Sequence, residues 1–318
     1  MNPATAGLTE RGRALLRNDS GKEDGMSNVN CVYPAAAELG EGPLWSAREH
    51  ALWFVDIKRR RIHRYDERTR TAASWPAPEQ VGFIVPAAPG HFICGLQSGL
   101  HSFDPQRGTF ELIVRVDANR PGNRLNDAHV DTAGRLWFGS MDDAESAPTG
   151  ALYRYDAAGL TRCDDGYAIT NGPATSPDGR TLYHIDTLRR EIYAFDMEAS
   201  GSLSHKRIFA RVDAHEGFPD GPVVDSTGCV WVGLYAGWGV NRYSPEGKLL
   251  DKLALPVANC TKAAFGGDDL RTLYMTTARQ GLTDEQRVQQ PLAGGLFATR
   301  VDVAGLPANP VMDVHTKP

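Results

Sequence analysis

The sequence predicts an all-β fold, a six-bladed β-propeller. Three observations lead there. A hairpin-sized pattern recurs six times along the 318 residues, at the spacing of about 40–50 residues that one propeller blade occupies. The recurring runs are short, rich in aromatic and β-branched residues, and separated by Pro/Gly turns, with no sustained helical period. In four copies a polar residue opens the first strand and an aromatic follows about 11 or 12 positions later, as in Phe218-Pro219-Asp220-Gly221-Pro222 before Trp231. A β-sandwich also has short strands, but it has no reason to repeat its register in this way.

The elements follow in order. Residues 1–28 are small and polar with several arginines and lack the apolar core of a signal peptide; they are expected to form a disordered tail, with Met26 a candidate natural start. Residues 29–318 are expected to form one propeller domain. Its first copy is Leu52–Asp56 with Arg61–Asp66, and its second His91–Cys94 with Gly99–Asp104. Leu136–Gly139 with Gly150–Asp156 makes the third, and Thr181–Asp186 with Glu191–Asp196 the fourth. Val230–Gly233 with Gly239–Tyr243 and Thr272–Thr276 with Gly295–Thr299 complete the set. Phe103-Asp104-Pro105-Gln106-Arg107-Gly108 and Tyr243-Ser244-Pro245-Glu246-Gly247 are hairpin turns written in Pro and Gly. The Asp-x-x-Gly runs from Asp131 and from Asp225 are ordinary outer turns.

Composition narrows the partners. A formal charge of −5 argues against nucleic acid or an anionic membrane, both of which call for a basic face, and favours a small neutral or modestly charged substrate. No apolar run reaches the ~18 residues of a membrane span. Five cysteines stand singly with no C-x-x-C pair, which suits reduced thiols in the cytoplasm and gives neither a zinc ribbon nor a redox motif. The protein is expected to be a monomer or a weak homo-oligomer.

The polar residues that open the first strands are Glu41, Asn126, Asn171 and Asp220, one in each of four copies. In a closed propeller such positions converge at the mouth of the axial channel. An Asp or Asn before Gly is by itself most often a turn cap, but capping does not account for Glu41 or for the recurrence. Carboxylates and carboxamides facing one another are costly to desolvate unless a cation lies between them. Oxygen-only donors suit Ca²⁺, Mg²⁺ or Mn²⁺, and an open catalytic site also takes Zn²⁺ or Fe²⁺. The expected fold is therefore a propeller with one divalent metal site at the channel mouth.

Leu39-Gly40-Glu41-Gly42-Pro43, Asn123-Arg124-Leu125-Asn126-Asp127, Ile169-Thr170-Asn171-Gly172, Phe218-Pro219-Asp220-Gly221, Phe265-Gly266-Gly267 and Pro291–Phe297 together resemble the senescence-marker-protein/gluconolactonase/luciferin-regenerating-enzyme family. That resemblance spans about residues 33 to 305 and implies a six-bladed propeller that binds one divalent metal and hydrolyses a sugar lactone. It implies Glu41, Asn171 and Asp220 as metal ligands, Asp220 also as general base, and Arg124 with Asn126 as substrate-binding residues. It further implies an acidic substrate contact in Gly139-Ser140-Met141-Asp142-Asp143-Ala144-Glu145, where Asp143 and Glu145 both qualify.

His129 and His184 read as packed or solvated strand histidines, and Tyr235 and Trp238 as either a sugar-stacking wall or packing. A lactone carbonyl polarised by a metal needs only an aimed water, and no Gly-x-Ser-x-Gly elbow is present for a serine mechanism. Two other functions fit the same pattern: an arylesterase or phosphotriesterase on the same propeller, and a non-catalytic calcium-binding propeller.

Overall fold

The computed structural model describes residues 29–87 and 90–312. The expected tail, with Met26, lies outside the described residues. Among the described residues the chain lays down 24 strands, one 3-10 turn, Ala214–Glu216, and one short α-helix, Asp284–Gln289, started by a Thr283 capping box.

Four antiparallel sheets of four strands each span residues 40–76, 81–115, 123–167 and 170–211. A fifth run of four spans 218–254, and a sixth consists of Cys260–Gly266, Thr272–Thr277, Leu296–Arg300 and Asn30–Tyr33. These last two are joined by a single parallel pairing, Gly221 with Lys262. The all-β expectation and the recurring hairpins are thus observed. One strand was not anticipated: Asn30–Tyr33 pairs with Leu296–Arg300, so the two ends of the described chain complete one sheet.

The first strand of each unit packs against the first strand of the next, and Cys260–Gly266 packs against Gly40–Ser46, which closes a ring. These strands are almost wholly buried, whereas outer strands such as Thr71–Pro76 and Leu249–Ala254 face solvent. Glycine lets the ring close: a Cβ on Gly82 would lie 2.3 Å from the Leu125 carbonyl oxygen of the neighbouring unit. Apolar clusters fill the space between units, for example Phe83, Ile93, Leu125 and Phe138.

Every first strand loses register with its partner at the same place, between Glu41 and Leu44, Val81 and Phe83, Leu125 and Ala128, Asn171 and Ala174, Pro219 and Pro222, and Cys260 and Ala263. A bulge re-aims the side chains around it. Here the recurrent bulge turns the polar residues of apolar strands toward the inside of the ring.

The outer turns hold more than their backbone. Asp131 is fully buried and accepts from Ala133 N, Arg135 N, Arg135 Nε and the Trp137 indole at 2.8 Å. Asp225 repeats this with Thr227 N, Cys229 N, Arg242 and the Trp231 indole at 2.9 Å. The C-terminal run crosses this same end of the ring. Gly305 bridges to Asp225, Asn309 donates to Val130 O, and Val311 N donates to Pro86 O.

Candidate active site

At the opposite end, where the first strands begin, Glu41, Arg124, Asn126, Asn171 and Asp220 line one pocket of about 210 Å³. All five are buried, and they come from four units separated in sequence by as much as 179 residues (220 − 41). Leu39, Met141, Ile169, Leu188 and Phe218 supply apolar wall, and Tyr235 closes one side with its hydroxyl donating to Gln280 O at 2.5 Å. Trp238 is half-exposed and is not among the lining residues.

Glycine at two of the turns sets the backbone. Gly42 and Gly172 have φ of 56° and 80°, in the left-handed region that costs a side-chain-bearing residue most. The Gly42 amide donates back to Glu41 Oε2 at 2.9 Å. A hydrogen-bonded chain then runs across three units: Arg124 Nη1 donates to Asn126 Oδ1, Asn126 Nδ2 to Asn171 Oδ1, Asn171 Nδ2 to Thr187 Oγ1, and Thr187 to Pro219 O. Thr187 thereby holds the Asn171 amide nitrogen and leaves its carboxamide oxygen toward the site. Its role was not legible in the sequence, since it lies beyond the strand that carries Asn171.

The electrostatics are those of anions packed without enough compensation. Burial, then the charge of Asp127, pushes the Glu41 carboxyl up to about 7. Burial, then the charge of Glu41, pushes Asp220 well above the usual carboxylate range. Asp220 Oδ1 is buried with no hydrogen-bond partner. Groups of three or more His, Cys, Asp or Glu side chains placed to hold a metal are absent among the described residues; with Asn171, the donor set is two carboxylates and a carboxamide. An orphaned carboxylate oxygen beside a second buried carboxylate and a carboxamide oxygen is the chemistry of a hard-cation site. The residues present fit a divalent metal.

The two acids of the 142–145 loop are placed differently. Asp143 does not line the pocket; it lies behind Arg124, accepting from Arg124 Nε at 2.7 Å, Lys58 Nζ at 2.6 Å and Gln80 Nε2 at 2.9 Å. Burial alone would raise its pKa, but hydrogen bonds from Lys58 and Gln80 and the charge of Arg124 outweigh that and hold it at about 2. Glu145 lines the pocket, on a backbone with φ of 56°.

Neither of the two strand histidines lines this pocket. His184 is fully buried edge-on to Tyr167, and burial draws it down to about 3. His129 pairs with Thr175 Oγ1 at 2.8 Å and faces the cavity at the other end of the ring.

Residues 39–279 match the SMP-30/Gluconolactonase/LRE-like region. The chain belongs to this family. Among its relatives are the 6-deoxy-6-sulfogluconolactonase of Pseudomonas putida, 36% identical over 87% of this chain and 96% of that protein, and the L-arabinolactonase of Azospirillum brasilense, 36% identical over 84% and 90%. The calcium-binding protein regucalcin of Agrobacterium tumefaciens superposes with a TM-score of 0.85 at 25% identity, covering 88% of this chain and 96% of that one. Family membership was anticipated from six motifs, four of which contribute residues to the pocket.

Proposed function

We propose that this protein is a hydrolase of a sugar-acid lactone, dependent on one divalent metal held by Glu41, Asn171 and Asp220 at the mouth of a six-bladed propeller. The single observation that carries this is the convergence of those three side chains on one pocket, with Asp220 Oδ1 left unpartnered. The closed ring of six first strands supports the blade count and a single domain. The sulfogluconolactonase and arabinolactonase relatives support the substrate class.

When bound, a divalent cation supplies Lewis-acid polarisation of the lactone carbonyl and charge for the developing oxyanion. The protein's own residues do the rest. The Asp220 carboxylate takes a proton from the attacking water; general-base action of this kind contributes about 10²–10⁴-fold. The water oxygen bonds to the carbonyl carbon, the ring C–O bond breaks, and a proton passes to the released alkoxide, leaving the open hydroxy acid. Arg124, fixed by Asp143 and Asn126, directs its remaining donors at the sugar oxygens. Glu145 accepts from sugar hydroxyls at the rim. The apolar wall of Leu39, Ile169 and Phe218 excludes water from the far side.

The test is hydrolysis of five- and six-carbon aldonolactones by metal-stripped protein, with Ca²⁺, Mg²⁺, Mn²⁺, Zn²⁺ or Fe²⁺ restored singly. Activity that returns with metal and is absent in Asp220→Ala supports the proposal. Turnover of aryl or phosphorus esters without turnover of lactones overturns it.

A further inference from the structure

Beneath the three donor residues lies a buried ion pair that the reaction described above does not use. Asp127 is 1% exposed and Lys262 7% exposed, and their charged atoms are 2.5 Å apart. Asp127 Oδ1 also accepts from Ala128 N at 2.7 Å, and its Oδ2 accepts from Gly172 N at 2.9 Å. Lys262 Nζ also donates to Ala128 O at 3.3 Å. The lysine stem runs along Gly221, where a Cβ would lie 2.6 Å from Lys262 Cγ and Cδ.

These contacts join four of the six first strands just below the pocket. Asp127 belongs to the strand that carries Asn126, Gly172 follows Asn171, Gly221 follows Asp220, and Lys262 comes from Cys260–Gly266. Two of the three donor residues therefore precede a glycine that this pair touches. A buried ion pair is weak evidence for stability, because desolvation offsets much of the Coulomb gain. The geometry suits a different use, fixing where neighbouring groups sit.

We propose that Asp127 and Lys262 are positioning residues for the metal site: they clamp the Gly172 amide and the Gly221 backbone, and so hold Asn171 and Asp220 at the spacing a cation requires. This role rests on the metal-site reading above. Outer partners of metal ligands typically contribute about 10–100-fold in affinity.

The decisive variant is Asp127→Asn/Lys262→Met. It removes one negative and one positive charge together, so the net charge near the donors is unchanged. It also replaces the carboxylate that accepts from both Ala128 N and Gly172 N with an amide, one end of which can only donate. Binding of Mn²⁺ and of Ca²⁺ to metal-free protein is measured by calorimetry, with thermal unfolding of the same samples. The expected result is a loss of metal affinity of about tenfold or more. Lys262→Met alone is the second variant should the double one fold poorly; it makes the charge near the donors more negative, which by itself favours a cation, so a loss of affinity there is expected only from lost positioning. Metal affinity within twofold of wild type, even with a lowered unfolding temperature, makes the pair merely structural and overturns the role. Wild-type protein that binds neither cation instead overturns the metal-site reading, and the positioning role with it.

Discussion

Asp143 and Glu145 stand two residues apart in one loop, yet their replacement by alanine should have opposite consequences. Asp143 accepts from Arg124, Lys58 and Gln80, and its pKa is held at about 2 against an ordinary 3.8. A carboxyl whose pKa is depressed on folding contributes stability above pH 3.8 that is lost as pH falls toward 2. A depression of nearly two units corresponds to about 2.5 kcal/mol. The side chain is 28% exposed, and discounting for solvent screening leaves about 1.5–2 kcal/mol. At ~2–4 °C per kcal/mol for a chain of this size, Asp143→Ala should unfold about 3–8 °C earlier at pH 7. Its lactone KM should also rise, because Arg124, only 3% exposed, loses the carboxylate that orients it. Glu145 is exposed on the pocket rim, so Glu145→Ala should leave the unfolding temperature within ~1 °C and change KM alone. Differential scanning fluorimetry and initial-rate kinetics on both variants decide the matter. An unaltered melting temperature in Asp143→Ala, or a lowered one in Glu145→Ala, would refute the assignment of the two acids.

Two further outcomes follow from the same kind of accounting. In metal-stripped protein Glu41 is pushed from an ordinary 4.5 to about 7, so the folded state holds that proton more tightly than the unfolded chain does. Stability should then be highest below pH 4.5 and fall by about 3 kcal/mol as pH rises to 7 and beyond; urea unfolding in chelator at pH 5 and pH 8 measures this, and Glu41→Gln should reduce the difference, with the remainder coming from Asp220, which burial also raises. At the other end of the ring, Asp225→Ala strands the Trp231 indole and Arg242, which should cost about 3 kcal/mol in urea unfolding, while kcat of the folded protein stays at the wild-type value.

The sequence was most legible where a residue contradicted its surroundings. Glu41, Asn171 and Asp220 are polar side chains set beside glycine in strands otherwise built of apolar and small residues, and burying them without purpose would be costly. The outer turns at Asp131 and Asp225 were read correctly as turns. Their second role was also in the text, as an Asp followed six positions later by the Trp whose indole it accepts from. The order of strands within each unit followed from local hairpins, because antiparallel neighbours joined by short turns leave a pattern in adjacent residues. Pairing of Asn30–Tyr33 with Leu296–Arg300 leaves no such pattern, since its partners lie at opposite ends of the described chain. The division of labour between Asp143 and Glu145 was hidden for a related reason: it is decided by Lys58 and Gln80, which belong to other units.

Lys262 shows the limit most clearly. In Cys260-Thr261-Lys262-Ala263-Ala264-Phe265-Gly266 nothing in the strand itself shows whether its single lysine faces solvent or the inside of the ring. Three facts bury it: the register break that turns its side chain inward, the bare glycine that admits its stem, and the carboxylate from the strand carrying Asn126 that takes its charge. None is local to residue 262. A polar slot can announce that a site exists, because the cost of burying it is visible in its own neighbours. What compensates that cost comes from other strands of the ring, and only closing the ring brings it into view.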